Sequence, residues 1–441
     1  MVFLGTGKMN EKGHLEIGGV DTIELAKEYG TPLFVYDVAK IRQQAKAFLT
    51  TFKERRVDAK VSYASKAFSS VAMVQLMEEE GLHLDVVSGG ELYTALQAGF
   101  PTENIHFHGN NKSMEELRMA IQEGVGCIVV DNFYELDCIK ELGEQMNCTV
   151  PVLLRITPGI EAHTHDYILT GQEDSKFGFD LVSQQADQAL QEALGSDRID
   201  VLGIHCHIGS QIFEAKGFVM AIQKVFNQLQ QWSESYSYEP LVVNLGGGFG
   251  IPYTSADQDV SIEQMMNALI DEVEAQVEKT SMAMPEIWIE PGRSIVGEAG
   301  TTLYSIGSEK RIPGIRNYIA VDGGMTDNLR PALYQAKYEA VVANRLMQPN
   351  TQLVSIAGRC CESGDMLIHD ISLPKTSQGD ILAMFCTGAY GYSMANNYNR
   401  VPRPAVVFVE NGESQLVVER ETYRDLVHLD RPLKKSIVSS F

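Results

Sequence analysis

The chain has no excess of basic residues: 36 Lys and Arg face 58 Asp and Glu, a net charge of -22. Nucleic acid requires clustered cations to displace its counterions, so it is not an expected partner. No apolar run approaches the ~20 residues that span a bilayer, and no membrane partner is expected either. The opening residues, Met1-Val-Phe-Leu-Gly-Thr-Gly-Lys8, lack a basic region leading into an apolar stretch, so no secretory signal is expected. The 7 cysteines are odd in number and never fall at C-x-x-C spacing. They point to free thiols in a reducing compartment, and the expected location is cytoplasmic. Low-complexity linkers and heptad runs are missing too. What remains is the composition of an ordinary globular protein, 44% hydrophobic and 21% charged. Its 441 residues are enough for two or three domains with sizeable cores.

The first 37 residues are β-rich around a short helix, Thr22 to Tyr29, and their few strands cannot close a core alone. They are expected to pack with the C-terminal part of the chain. A helix follows over 38–55. From residue 60 onward, short apolar strands alternate with amphipathic helices. Strands are predicted at 60–65, 83–88, 105–109, 127–131, 151–156, 201–209, 241–246 and 286–290. Helices are predicted at 69–80, 89–99, 113–122, 133–146, 181–194, 215–235 and 261–280. Eight strands with helical crossovers in ~230 residues fit a closed (β/α)8 barrel better than an open doubly wound sheet. Beyond residue 297 helical periodicity fades, and strand-like runs occur at 317–321, 337–342, 352–356 and 380–385. Residues 405–418 read as a hairpin around Asn411-Gly412. The expected fold class is therefore α/β. It comprises a barrel over 38–297 and an antiparallel, barrel-like β domain over 298–441, with residues 1–37 packed on the latter.

Lys66 ends the first barrel strand, a place where lysine is seldom buried unless paired. Desolvation there lowers an amine's pKa and leaves the neutral form, which condenses with aldehydes. The alternative is a strand-end lysine that snorkels to solvent. In such barrels chemistry gathers at the C-terminal ends of strands. Asp85 and Ser88 fall in the second strand, Arg155 in the fifth, and His205 and His207 at the end of the sixth. By period two the two histidines share a face. A metal pair is a rival reading, but no third ligand is evident and none is assigned. Gly246, Gly247 and Gly248 end the seventh strand, where consecutive glycines let backbone N–H groups approach an anion such as phosphate, or simply make a tight turn. Glu290 and Arg293 end the eighth. They are either a surface ion pair or a carboxylate that keeps a pyridine nitrogen protonated.

The set Tyr63-Ala-Ser-Lys-Ala67, Asp85-Val-Val-Ser-Gly-Gly-Glu-Leu92, His207-Ile-Gly-Ser-Gln-Ile212, Gly246-Gly-Gly248 and Glu290-Pro-Gly-Arg293 resembles the fold-type III pyridoxal phosphate (PLP) decarboxylases, which share an alanine racemase-like barrel. Arg330-Pro-Ala-Leu-Tyr334, Cys361-Glu-Ser-Gly-Asp365 and Gly388-Ala-Tyr390-Gly-Tyr-Ser-Met394 are similar to the diaminopimelate decarboxylase family, as are His163-Thr-His165-Asp-Tyr-Ile168 and Asp174-Ser-Lys-Phe-Gly178. The likeness spans nearly the whole chain. Two stretches depart from the family: Arg359-Cys360, and Ala336-Lys337-Tyr338 after Tyr334. Neither is expected to touch a residue with an assigned role.

The resemblance implies that Lys66 bonds to the aldehyde of pyridoxal 5'-phosphate and that Glu290 pairs with the pyridinium. His207 stacks on the ring, and Asp85, Arg155 and Tyr390 complete the cofactor's surroundings. Gly246, Gly247, Gly248, Ser210, Gly292 and Arg293 hold the phosphate. It further implies a homodimer with shared active sites, in which Cys361 is the proton donor and Glu362 a substrate ligand in the neighbouring subunit's site. Glu362 and Asp365 are expected to keep that thiol protonated. For the amino-acid substrate, Arg293, Arg330 and Tyr334 suit a second carboxylate, as in meso-diaminopimelate, which loses CO2 to become lysine, and Tyr390 is a further expected substrate contact. A same-fold decarboxylase of arginine or carboxynorspermidine, or a non-catalytic regulator, is the alternative. A racemase is disfavoured by Glu290.

Overall fold

A computed structural model describes residues 3–159 and 175–433. The family-like motif at 163–168 and Asp174 lie outside the described residues. A small antiparallel sheet of β1 (Lys8–Met9), β2 (Leu15–Ile17) and β3 (Val20–Asp21) leads to α1 (Thr22–Tyr29), β4 (Leu33–Asp37) and α2 (Val38–Arg55). The barrel strands then follow: β5 (Ala59–Ala64), β6 (His83–Val86), β7 (Ile105–Phe107), β8 (Cys127–Val130) and β9 (Val150–Thr157). The short β10 (Phe179–Asp180) is added at an edge of β9, and β11 (Ile199–His205), β12 (Val242–Asn244) and β13 (Glu286–Ile289) complete the set. All neighbours pair in parallel, and β9 bonds to both β8 and β11, which closes the ring. The anticipated (β/α)8 barrel is what the chain forms.

The outer helices are α3 (Val71–Glu79), α4 (Gly89–Ala98), α5 (Met114–Glu123), α6 (Phe133–Met146), α7 (Gln185–Leu194), α8 (Lys216–Tyr236) and α9 (Ile262–Thr280), and all but α7 and α8 start at a capping side chain. Ser70, Ser88, Ser113, Asn132 and Ser261 each accept a backbone N–H of the first turn. Ser113 and Glu116 form a reciprocal capping box. These helices bury one large core against the outside of the strands, whereas Cys127, Val129, Leu153, Val242 and Trp288 form a small separate cluster. His106 stacks on Trp288 with ring centroids 4.2 Å apart, and Ser62 Oγ lies 3.0 Å from its Nδ1. This packing confines the chemistry to the strand ends. No helix among the described residues is long and apolar enough to cross a membrane.

After α10 (Arg293–Val296) come β14 (Gly300–Ile312), β15 (Arg316–Val321), α11 (Arg330–Tyr334), β16 (Ala340–Val342), β17 (Gln352–Ala357), β18 (Met366–Leu373), β19 (Ile381–Met384), β20 (Ala405–Glu410) and β21 (Glu413–Val418). The sheet is mixed, not purely antiparallel as expected: β15 pairs with β17 in parallel, and β20 with β4. Neither pair is joined by a hairpin, so no short turn dictates opposite directions. β4 lies between β14 and β20. The 13-residue β14 was not expected as a strand because its environment changes along its length. Its buried first part pairs with β4 and β19, and its exposed second part pairs with β15. β18 escaped notice too, since Asp370 at φ +52° breaks the alternation. The hairpin at Asn411-Gly412 has positive φ at both residues, the conformation that this dipeptide favours.

Candidate active site

Lys66 stands in a single helical turn, Ser65–Ala67, at the exit of β5. The β domain closes on it from one side, where Tyr390 N–H and Ser393 Oγ both donate to the Ala67 carbonyl, at 2.8 and 3.0 Å. Behind it a Cβ on Gly292 would come within 3.0 Å of the Ala64 side chain. Lys66 itself is exposed to solvent, although its neighbours Ser65 and Ala67 are buried. Its charge state differs from the expectation. Burial lowers its pKa, but Tyr390, Asp85 and Glu290 outweigh burial and the opposing Arg155, and the net shift is upward. The amine is an ammonium held among carboxylates, and it must lose a proton before it can attack an aldehyde.

Glu290, at the exit of β13, is buried and heavily bonded. Its Oε1 accepts from Asn244 Nδ2 at 2.6 Å and lies 3.0 Å from His108 Nε2, while Oε2 lies 3.2 Å from His205 Nε2. Burial pushes the carboxyl up, but His108 and His205 reverse this and hold it well below the usual range. It is a buried anion fixed from three sides. Burial pushes His205 down to about 4, so this ring is neutral and serves as an N–H donor. Asp85, in β6, lies 3.6 Å from His108, and burial raises its pKa over the pull of that histidine. His108 and Asn244 were not among the anticipated residues. The period-two register with His106 at the exit of β7 is the one signal that could have marked His108.

His205 and His207 do not act as a pair. β11 ends at His205, and His207 Nδ1 instead accepts the Gly247 N–H at 3.2 Å. Burial, with Lys66 and Arg155 nearby, holds His207 well below its ordinary pKa, so the neutral ring carries its proton on Nε2. Ligand-capable atoms of His108, His205 and Glu290 do lie within 4.8 Å of one another, a cluster that takes in His205 but not His207 and that the sequence concealed. Asn244 and His205 hydrogen-bond to Glu290 here, while His108 Nε2 lies 3.0 Å from it without a hydrogen-bond partner among the described residues; no metal is assigned. The glycine run has a packing reason of its own: a Cβ on Gly247 would fall 2.1 Å from the Glu290 carbonyl, and one on Gly246 2.4 Å from that of Cys206. Three strand exits meet there with no room for side chains.

Arg155, on β9, stacks over Phe177 at 4.4 Å and reaches to within 3.6 Å of Asp131, a carboxylate that the sequence did not single out. On the other side Arg293 donates to Ser210 Oγ at 3.0 Å and to the Tyr253 hydroxyl, and lies 4.8 Å over the Tyr390 ring. Arg330, at the start of α11, donates to Tyr338 OH at 2.7 Å and lies 4.7 Å over the same Tyr253 ring. Both arginines are buried, 8% and 7% exposed, and Tyr253 links them. Tyr338 belongs to a stretch that departs from the family, and the expectation that it touches no assigned residue is overturned. Tyr334, four residues after Arg330, is half-buried.

Cys361 and Glu362 are exposed on the β domain. Their hydrogen bonds are with loop neighbours: Cys361 N–H donates to Asn399 Oδ1 at 2.9 Å, and Gly364 N–H to Glu362 Oε1 at 3.3 Å. Asp365 was expected to act on the Cys361 thiol, but its carboxylate is buried and accepts the N–H groups of Met325 and Cys360. Burial, and then Asp365, pushes the Cys360 thiol up to about 11.

The donor set fits a pyridoxal phosphate. An amine stands at one strand exit and a fixed buried anion suited to a ring nitrogen at another, while the buried Asp85 Oδ1 and Ser294 Oγ have no hydrogen-bond partner among the described residues. A barrel of this kind with these groups at its C-terminal face defines a pyridoxal-dependent decarboxylase. The family described as "Pyridoxal-dependent decarboxylase, pyridoxal binding domain" matches residues 38–297. Proteins named diaminopimelate decarboxylase are similar over nearly the full length: that of Bacillus methanolicus is 67% identical, covering 96% of this chain and 98% of its own. That of Bacillus subtilis is 62% identical over 99% and 100%. The crystal structure titled diaminopimelate decarboxylase from M. jannaschii in co-complex with L-lysine superposes with a TM-score of 0.92 at 37% identity, covering 98% of this chain and 99% of that one. The chain belongs to the diaminopimelate decarboxylase family, and its cofactor is pyridoxal 5'-phosphate.

Proposed function

We propose that the chain converts meso-2,6-diaminopimelate to L-lysine and CO2. The observation that carries this reading is the buried pair Arg293 and Arg330, bridged by Tyr253 beside the lysine-bearing wall. Two enclosed guanidiniums suit a substrate with a carboxylate beyond the one that is lost. When bound, pyridoxal phosphate supplies an aldehyde for amine exchange and a ring that accepts the electron pair freed with CO2.

The chain's own residues do the remaining work. Lys66 would hold the cofactor through its aldehyde, using the amine in its neutral form after loss of a proton to solvent. Glu290, a fixed buried anion, would pair with the ring nitrogen and favour its protonated form. His207 presents a neutral ring face, while Asp85 and Arg155 line the wall. Ser210, the backbone of Gly246, Gly247 and Gly248, and the Gly292-Arg293 backbone hold the phosphate. Arg293, Arg330 and Tyr334 orient the distal carboxylate, Tyr390 adds a substrate contact, and Glu362 takes the distal ammonium. Cys361 Sγ delivers a proton to the carbon that lost CO2.

Cys361 and Glu362 act in the neighbouring subunit of a homodimer in this reading. Their exposure supports it, as do apolar side chains that a lone subunit leaves in water: Tyr423 at 80%, Leu429 at 75% and Leu433 at 95% exposed. Residues 298–441, with 1–37, would form the domain that completes the partner's site, a division supported by the pairing of β4 with β14 and β20. All 7 cysteines are unpaired, which suits a reducing cytoplasm. The test is CO2 release from meso-diaminopimelate, lysine, ornithine and arginine at matched concentration, with lysine measured as product. Comparable rates on ornithine or arginine would refute the substrate.

A further inference from the structure

Three loops of the β domain meet around one buried carboxylate. The first, Gly323 to Asn328, leads directly into Arg330. The second, Gly358 to Asp365, bears Cys361 and Glu362. The third, Tyr392 to Arg400, follows Tyr390. Asp365 is 3% exposed. Its Oδ1 accepts the Met325 N–H of the first loop at 2.6 Å, and its Oδ2 accepts the Cys360 N–H of the second at 2.7 Å. Bonds of this length from N–H to a carboxylate are the charge-assisted kind.

The carboxylate is also tightly enclosed. A Cβ on Gly324 would lie 2.5 Å from Asp365 Oδ1, and one on Gly358 would lie 2.2 Å from it. Backbone bonds reinforce the junction: Arg359 N–H to Gly323 C=O at 3.0 Å, and Asp365 N–H to Glu362 C=O at 3.1 Å. The third loop grips both others, through Asn396 N–H to Thr326 C=O at 2.8 Å and Cys361 N–H to Asn399 Oδ1 at 2.9 Å.

We infer that Asp365 is a positioning residue: its buried carboxylate staples the Cys361–Glu362 loop to the Arg330 loop. The proton donor and the substrate's ammonium partner are thereby held in fixed register for delivery to the neighbouring subunit. The inference rests on the proposed placement of Cys361 and Glu362 in that site. Asp365 itself touches neither substrate nor cofactor. A shape-conserving amide can accept only one of the two N–H groups and turns a donor toward the other, so one side of the staple opens.

Asp365→Asn, in the cofactor-loaded dimer, should lower kcat at least about tenfold, roughly 1.4 kcal/mol of barrier. Cofactor absorbance per subunit should stay at the wild-type level, because that wall belongs to the barrel. The deciding measurement is complementation. After subunit exchange with Lys66→Ala, Asp365→Asn should recover about one quarter of wild-type activity, since half the dimers are mixed and each restores one of its two sites. With Cys361→Ala it should recover none, because both defects lie in the same contributed loop. Gly358→Ala, which crowds the carboxylate without removing it, should sort the same way and guards against a folding defect peculiar to one variant. Loss of cofactor, or failure to complement Lys66→Ala in demonstrated heterodimers that do restore Cys361→Ala, overturns the positioning role. If Lys66→Ala and Cys361→Ala themselves fail to complement, the shared-site reading falls first and the inference with it.

Discussion

Replacing Glu290 with glutamine removes one charge at nearly constant shape, and the structure indicates what should follow. The amide oxygen can keep the Asn244 bond, at 2.6 Å in the parent, while the new NH2 group faces His205 Nε2. His205 Nδ1 is buried without a hydrogen-bond partner among the described residues, so this neutral ring can move its proton to Nδ1 and let Nε2 accept. The fold should therefore survive, and the loss should be electrostatic. The smallest estimate is the difference between hydrogen bonds to charged and neutral acceptors, about 1 kcal/mol. An upper bound is the Coulomb attraction of unit charges ~3 Å apart at an effective dielectric of ~20, about 5.5 kcal/mol. With a tenfold change per ~1.4 kcal/mol, kcat should fall between about fivefold and 10⁴-fold. The assay is CO2 release normalised to cofactor content by absorbance, with circular dichroism to verify folding. Glu290 is held well below the usual carboxylate range, so the deficit should be the same at every pH in the working range. A variant with full cofactor and kcat within about twofold of wild type, less than ~0.5 kcal/mol, would refute the placement of Glu290 against the ring.

Lys66→Ala should abolish turnover, and borohydride reduction of the parent should place the pyridoxyl label on Lys66; a label on another lysine would refute the assignment. Arg330→Ala should cut kcat/KM for diaminopimelate by roughly 30- to 5,000-fold, the equivalent of ~2–5 kcal/mol for an unpaired buried charge. Cofactor absorbance should be unchanged, and Tyr338→Phe, which removes only the acceptor 2.7 Å from Arg330, should do the same more mildly. Asp327 concerns stability. Burial pushes its carboxyl from 3.8 to about 7, where it accepts from Tyr304 OH at 2.5 Å and Gly324 N–H at 2.8 Å. Its folded-state pKa is the higher one, so the native state binds more protons between these values, and this contribution to stability declines as pH rises from about 4 to about 7. Asp327→Asn should flatten the fall of Tm across that window; parallel Tm curves for parent and variant would show that the group does not titrate there.

The amino-acid sequence by itself determined the barrel and the address of its chemistry. Apolar spacing and caps such as Ser113 with Glu116 act within a few residues, so the barrel's strands and helices were legible to within a few residues at their ends. Lys66, the glycines from Gly246 and Glu290 could be placed at strand exits for the same reason. Only the tertiary structure decided what those groups meet. His108 and Asn244 reach Glu290 from other strands, and Tyr253 joins Arg293 to Arg330 across two domains. The direction of Lys66's pKa depended on which carboxylates surround it, and burial alone would have given the opposite sign. Asp365 lies four residues from Cys361, yet its carboxylate faces Met325. Strand β14, with three partners and a burial pattern that changes midway, likewise has no local signature. Periodicity is a short-range property of the chain, whereas partners, charge states and sheet direction are set by residues that become neighbours only on folding.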